Sequence, residues 1–330
     1  MSVSSPEANG KEYKLHKETE SFISAIKDNG SSGHANQTIE DIRNASERLV
    51  EMFGGDVFFD GKIKEFRVPS LACEGGIPVT AYIPKDRGPK PSVFVFFHGG
   101  AFIASSRQAA DSICKIFSRE AKCITVSVGY RLAPEHKFPA CYDDAVSAVR
   151  WAAMNKGLLG ASNDSTVGVG GQSAGANIAA TVCHELPGIS YQILACPKLD
   201  MKMDLKSYGE FEDGPIITRQ SLEKSMSLFV DNEEDMSNVR CNPLHRPNFE
   251  GLPPALIIAA ECDPIRDDAY EYSKKLKAAK VKTTLIVSKG ACHLFFGLPG
   301  HFKESSEKAH LRVIDFIKNH SGRANLSLLT

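Results

Sequence analysis

The stretch VGVGGQSAGANIAA, residues 167–180, limits the possible folds of this chain more than any other segment. It reads as a short apolar strand, then Gly171-Gln172-Ser173-Ala174-Gly175, then a run of good helix formers. A Gly-x-Ser-x-Gly turn between a strand and a helix sets the serine on a strained corner, and its small neighbours let the two elements cross closely. The hydroxyl then projects into a cleft, where the helix N-terminus and the Ala174 amide face developing negative charge. Ser173 is therefore the candidate nucleophile. The fold around it must end a buried strand beneath a helix.

From about residue 65 the chain has that form. Short apolar or β-branched runs at 79–83, 93–97, 124–128, 167–169, 191–195, 255–260 and 284–287 alternate with amphipathic segments near 109–121, 140–155, 174–185, 266–279 and 303–319. This alternation predicts an α/β architecture around a mostly parallel sheet. Two stretches break the rhythm. The first, 1–55, contains a predicted helix at 38–53 with Asp41, Glu47 and Glu51 on its polar side. The second, 203–247, is rich in charge and methionine. We expect an N-terminal cap segment (1–55) and a cap insertion (203–247) over a catalytic domain made from 56–202 and 248–330. Open α/β sheets place their sites at the carboxyl ends of the strands, beneath such additions.

A second motif, PSVFVFFHGGAF at 91–102, is an apolar strand ending in His98-Gly99-Gly100-Ala101-Phe102. A glycine-rich turn after an early strand can aim backbone amides at the oxygen of a tetrahedral intermediate. The amides of Gly99, Gly100 and Ala101, with that of Ala174, are the predicted oxyanion hole. His98, Phe102, Gln172 and Leu294, which flank the key turns, are candidate substrate contacts.

Where a serine sits on such an elbow, the acid and then the histidine follow it in the chain. The apolar run LPPALIIAAE leads into Cys262-Asp263-Pro264, so Asp263 is the first aspartate past a strand end. It is held before a proline that biases it to extended backbone. Glu261 and Asp267 are its rivals, and Asp267 suits a first-turn or ion-pair role better. His293 follows the strand TTLIVS through a short loop containing Gly290, the kind of position where catalytic side chains are presented. His301 is the alternative base, whereas His310 and His320 fall in the closing helical pattern.

HGGAF, the block Tyr130-Arg131-Leu132-Ala133-Pro134-Glu135-His136-Lys137-Phe138-Pro139-Ala140, GQSAGAN, and Asp263-Pro264-Ile265-Arg266-Asp267 followed by His293 occur in that order. Over roughly residues 65–320 the sequence resembles the hormone-sensitive-lipase-like branch of the α/β-hydrolases. That group contains bacterial family IV esterases, arylacetamide deacetylases and plant carboxylesterases. The resemblance implies a mostly parallel eight-stranded sheet flanked by helices, with a helical cap. It also implies a serine carboxylic-ester hydrolase for short acyl chains that works through an acyl-enzyme, with no metal or organic cofactor. The YRLAPEHKFPA block is expected to tie down the loop beneath the oxyanion turn. Three positions depart from the pattern: HGGG has become HGGA, GDSAGG has become GQSAGA, and His-Gly-Phe has become His293-Leu294-Phe295. The same triad would serve an amidase, deacetylase or lactonase. A non-catalytic hormone receptor, as in the gibberellin receptors of this family, lacks the catalytic histidine that His293 supplies here.

Composition narrows the partners. A net charge of −1 without a long basic block gives nucleic-acid binding no support. Apolar residues at 42% and charged residues at 24% suit a globular enzyme. The first thirty residues are polar and nowhere do eighteen apolar residues run together, so we expect neither a cleaved signal nor a membrane span. Nine scattered cysteines without CxxC or Cys/His spacing are expected to be reduced thiols in a cytoplasmic protein, including Cys262 and Cys292 beside the catalytic candidates. The expected partner is a small-molecule ester, with a homodimer as the family-typical assembly.

Overall fold

A computed structural model of the chain describes residues 7–8, 11–28 and 37–321. Its centre is a sheet of eight strands: β1 (Lys62–Val68), β2 (Ile77–Ile83), β3 (Val93–Phe97), β4 (Ile124–Val128), β5 (Val167–Gln172), β6 (Tyr191–Ala195), β7 (Ala255–Cys262) and β8 (Thr283–Cys292). They lie side by side in the order β8-β7-β6-β5-β3-β4-β2-β1. β2 runs antiparallel to both neighbours, and the other pairings from β4 to β8 are parallel. A separate two-stranded ladder pairs Glu7–Ala8 with Lys11–Glu12.

Strands β3, β4, β5 and β6 are buried along their whole length, because helices cover both faces of a parallel sheet. One face packs against α3 (Asp111–Ala121) and α8 (Lys303–His320), with Phe94, Phe96, Phe117, Phe296 and Val313 in the shared core. The other face packs against α4 (Ala140–Met154), α5 (Ala174–Glu185) and α7 (Arg266–Ala278), around Val95, Val149, Ile178 and Tyr272. α1 (Lys17–Asp28) and α2 (Ile39–Phe53) precede the sheet, and α6 (Arg219–Phe229) lies between β6 and β7. The five predicted helices of the sheet region are present, with ends differing by one or two residues. The helix predicted at 38–53 runs 39–53, with Thr38 as its N-cap in a reciprocal pair with Asp41.

The edge strand β1 is absent from the sequence-based set of seven. Its residues KIKEFRV carry four charges and are exposed over most of their length. An edge strand paired on one side needs no apolar run, and charge there blocks pairing with other chains.

The YRLAPEHKFPA block fastens the HGGA turn from below. Tyr130 Oη donates to the His98 carbonyl at 2.8 Å, and the Ala133 amide donates to the Phe102 carbonyl at 3.0 Å. Arg131 grips the buried Asp144 carboxylate of α4 through Nε and Nη2 at 2.8–3.1 Å, and its own amide donates to the same group at 2.9 Å. From above, Arg43 of α2 donates to the carbonyls of Ile103 and Ala133 at 2.9 and 3.0 Å and pairs with Glu135 at 2.6 Å. That guanidinium holds the Glu135 carboxyl down at about 2.

Asp144 is almost fully buried, and deleting its carboxylate removes the charge partner of Arg131 and the acceptor of the Arg131 amide, while the partly exposed guanidinium keeps the Ala72 and Ala140 carbonyls. Asp144→Ala is expected to lower unfolding free energy by about 1–3 kcal/mol, read from the shift of the urea midpoint.

Candidate active site

The elbow is built from close approach. A Cβ added to Gly171 would lie 2.3 Å from the Gly175 backbone, and one added to Gly175 would lie 2.0 Å from the Phe97 carbonyl oxygen. No side chain fits at either crossing. Ser173 therefore turns between β5 and α5 at φ 56°, ψ −118°, a strained setting for a residue with a Cβ. Its amide donates to the Ala195 carbonyl at 2.8 Å, which fixes the corner to the neighbouring strand.

Three loops at the carboxyl edge bring the predicted residues together. His293 Nε2 lies 2.9 Å from Ser173 Oγ, and His293 Nδ1 lies 2.7 Å from Asp263 Oδ2. A carboxylate only accepts, so the imidazole proton sits on Nδ1 and donates to Asp263, which leaves Nε2 to accept from the serine hydroxyl. Asp263 is fully buried, and its other oxygen accepts from the Ile265 amide at 3.1 Å. His293 opens a single helical turn, His293–Phe296, directly after β8.

The rival residues are engaged elsewhere. Glu261 accepts from the Gly290 amide at 2.9 Å and from Lys289 at 2.7 Å, so it holds the loop that presents His293. Asp267 pairs with Arg266 at 2.8 Å and accepts from the Ser207 amide at 3.1 Å. His301 packs among Phe22, Phe53 and Phe302 with Nε2 on the Glu18 carbonyl. His310 and His320 each bond a backbone carbonyl of their own end of the chain.

The HGGA turn runs through Gly100 at φ 114° and Ala101 at φ 53°. Gly100 has no room for a side chain, since an added Cβ would meet the Ala104 carbonyl oxygen at 2.1 Å. The Gly99 backbone passes beside the nucleophile, with a built Cβ 3.5 Å from Ser173 Cβ. His98 stacks on Tyr130 at 4.3 Å between ring centroids, and its Nδ1 lies 2.7 Å from the Gly99 carbonyl. Burial pulls this imidazole down to about 4, so it stays neutral near neutral pH.

Two connected lobes open over Ser173. The smaller, about 120 Å³, is lined by Val50, Phe96, His98, Ile113, Gln172 and Leu298 among others. The second, about 180 Å³, lies between α2 and α6 and is lined by Ile42, Leu49, Ala101, Ile217, Leu222 and Lys224 among others. Leu294 and Leu49 face both lobes. Of the four predicted substrate contacts, Phe102 needs correction. It is 1% exposed and stacked on Phe229 at 4.1 Å, so its ring belongs to the core and lines neither lobe. A left-handed backbone at Phe102, φ 67°, turns the residue inward. The lining residues of α2 and α6 could not be singled out from sequence, since an amphipathic helix shows which face is apolar but not what it covers.

One neighbour of the Asp263–His293 pair escaped the sequence analysis. Cys196, at φ 42° on the turn leaving β6, places Sγ within 4.8 Å of a carboxylate oxygen of Asp263 and a ring nitrogen of His293. Cys262 and Cys292 are buried, and burial pushes both thiols up to about 12, which makes them unreactive apolar residues.

The fold and this arrangement define an enzyme of the serine-hydrolase type on an α/β sheet. The family described as "alpha/beta hydrolase fold" matches residues 94–297. Esterase LipI of Mycobacterium tuberculosis is 34% identical over 263 residues, covering 76% of this chain and 81% of that protein. An arylesterase of Saccharolobus solfataricus is 31% identical, covering 68% of this chain and 74% of its own. The solved structure of a hyperthermophilic esterase from Pyrobaculum calidifontis superposes with a TM-score of 0.83 at 27% identity, over 92% of this chain and 98% of that one. The chain belongs to the hormone-sensitive-lipase-like branch of the α/β-hydrolase family. It is a hydrolase, and among its described residues no helix is long and apolar enough to cross a membrane.

The buried imidazoles set an acid limit on folding. Burial lowers His98, His184 and His310 from 6.5 to about 4 each. Between those values the unfolded chain binds protons that the folded chain does not. The share of stability that comes from keeping these three rings neutral is thus fully present above about 6.5 and lost as pH falls toward 4. Urea midpoints measured across this range should fall on acidification, and His310→Phe should flatten the slope.

Proposed function

We propose that Ser173, His293 and Asp263 are the nucleophile, general base and orienting acid of carboxylic-ester hydrolysis, with short-chain acyl esters of small alcohols or phenols as substrates. The observation behind this reading is the unbroken line of hydrogen bonds from Ser173 Oγ through the imidazole to the buried Asp263 carboxylate, at 2.9 and 2.7 Å. His293 Nε2 takes the hydroxyl proton as Oγ attacks the ester carbonyl. Asp263 holds the ring in the required tautomer and stabilises the imidazolium. Amides of Gly99, Gly100 or Ala101, together with Ala174, receive the oxyanion. His293 then passes its proton to the leaving alcohol and activates water to release the acid from the acyl-enzyme.

The small lobes favour short acyl groups, and their apolar walls favour uncharged ones. We assign the segments 1–55 and 203–247 to a cap, because α2 and α6 line the outer lobe and Arg43 anchors α2 to the oxyanion turn. Nine free thiols, eight of them buried, suit a reducing cytoplasm.

Ser173→Ala should lower kcat toward p-nitrophenyl acetate and butyrate by about 10⁴- to 10⁶-fold. Retention of more than about a tenth of wild-type activity would mean that another group attacks. An anilide tested beside the esters separates amidase activity from esterase activity.

The methyl of Ala101 sits on left-handed backbone at the wall of the outer lobe. Ala101→Gly removes both the strain and the crowding, so hydrolysis should persist and extend to bulkier esters in a graded panel. Complete inactivation would show that the methyl itself holds the turn.

A further inference from the structure

We infer that Cys196, Asp263 and His293 form a latent three-donor site for a thiophilic divalent cation of the zinc class, and that its occupation switches the enzyme off. The inference uses the proposed triad only for its effect on activity. The three donor atoms lie within 4.8 Å of one another, and all three residues are buried. In a tetrahedral zinc site, with bonds of about 2.0–2.3 Å, donors stand about 3.3–3.8 Å apart. Occupation therefore draws sulfur inward by up to about 1 Å from its limit of 4.8 Å and opens the 2.7 Å contact between imidazole and carboxylate by about 0.6 Å.

The donor set also solves the charge problem of a dry site. One thiolate and one carboxylate neutralise a divalent ion, and a neutral imidazole completes a thiolate–imidazole–carboxylate set suited to zinc or cadmium. The backbone holds the thiol in place, because Cys196 donates its amide to the Ile258 carbonyl at 2.7 Å while adjacent Ala195 accepts from the Ser173 amide.

Binding forms bonds from the ion to Sγ, to Nδ1 and to an Asp263 oxygen, and breaks the covalent Sγ–H and Nδ1–H bonds together with the hydrogen bond from Nδ1 to Asp263. The thiol proton leaves to solvent. The imidazole proton passes to Nε2, so the ring keeps a single N–H and no electrons are transferred. Nε2 then faces Ser173 as a donor and can no longer take its proton. Orientation by Asp263 is lost in the same event.

Cadmium chloride is the spectroscopic probe, since a cadmium–thiolate bond gives an ultraviolet charge-transfer band independent of any substrate. The half-buried Cys73 is removed first, as the one cysteine that is not buried, and Cys73→Ser is the reference protein. Titration should raise the band in the reference and in a Cys73→Ser/Ser173→Ala double variant. It should fail in variants that add Cys196→Ala or the isosteric Cys196→Ser. Zinc chloride should inhibit hydrolysis of p-nitrophenyl butyrate by the reference, reversibly with chelator, and about tenfold or more weakly in the Cys196 variants. No band in the reference, an undiminished band without Cys196, or equal zinc inhibition of all variants would overturn the site. A protein that shows the band but hydrolyses no ester would leave the metal site standing and count against the esterase reading alone.

Discussion

The crossing of β5 and α5 with no side chain between them is the constraint on which the site depends. Gly171 and Gly175 bring the two backbones to within the distance of a single missing methyl, and an added Cβ at either would strike backbone atoms. That approach forces Ser173 into its strained corner and points the first turn of α5 at the cleft. It also places Ser173 where the strand order reverses, with β3 and β4 on one side and β6 to β8 on the other. A reversal leaves a crevice at the carboxyl edge of the sheet. The HGGA turn enters that crevice from β3, and Asp263 and His293 enter from β7 and β8.

Much of this was readable from the residues, for physical reasons that differ between parts of the chain. Strands β3 and β6 are fully buried, so apolar residues fill them without interruption and their ends match the apolar runs. β1 went unseen because an exposed edge imposes no such pattern. Ser173, Asp263 and His293 could be chosen because each directly follows or closely trails an apolar strand, and position along the chain then left few candidates. Phe102 was placed wrongly because adjacency to a functional turn says nothing about which way a side chain points. Its left-handed backbone sends the ring onto Phe229. Cys196 was missed for a related reason, since it lies 67 residues before Asp263 in the numbering and meets it only through sheet order.

The residues around the oxyanion turn act as a joint rather than as a set of independent contacts. Tyr130 and Ala133 hold the turn from below through the carbonyls of His98 and Phe102, and Arg43 holds the Ile103 and Ala133 carbonyls from above. Arg43 belongs to α2, whose inner face lines the outer lobe through Ile42 and Leu49. One guanidinium therefore ties the wall of the cleft to the loop whose amides would face the oxyanion. Movement of α2 to admit a larger ester would pull on the turn as well as widen the cavity, so on the α2 side the size of the outer lobe is coupled to the HGGA turn through Arg43.

His293 is braced in the same way, from the other side of the sequence. Gly290 carries the loop before His293, and its carbonyl accepts from the His16 amide and from Thr19 Oγ1, both at 2.9 Å. Its own amide donates to Glu261, two residues before the acid. α1 continues from these contacts to α8, where Glu18 caps the helix start by accepting from the Glu304 and Ser305 amides. The N-terminal segment thus touches the site twice, at the loop before His293 through α1 and at the HGGA turn through α2. A sheet supplies the approximate positions of three loops. Hydrogen-bond reach between side chains at residues 173, 263 and 293 requires tighter placement than strand register gives, and these outer contacts supply it.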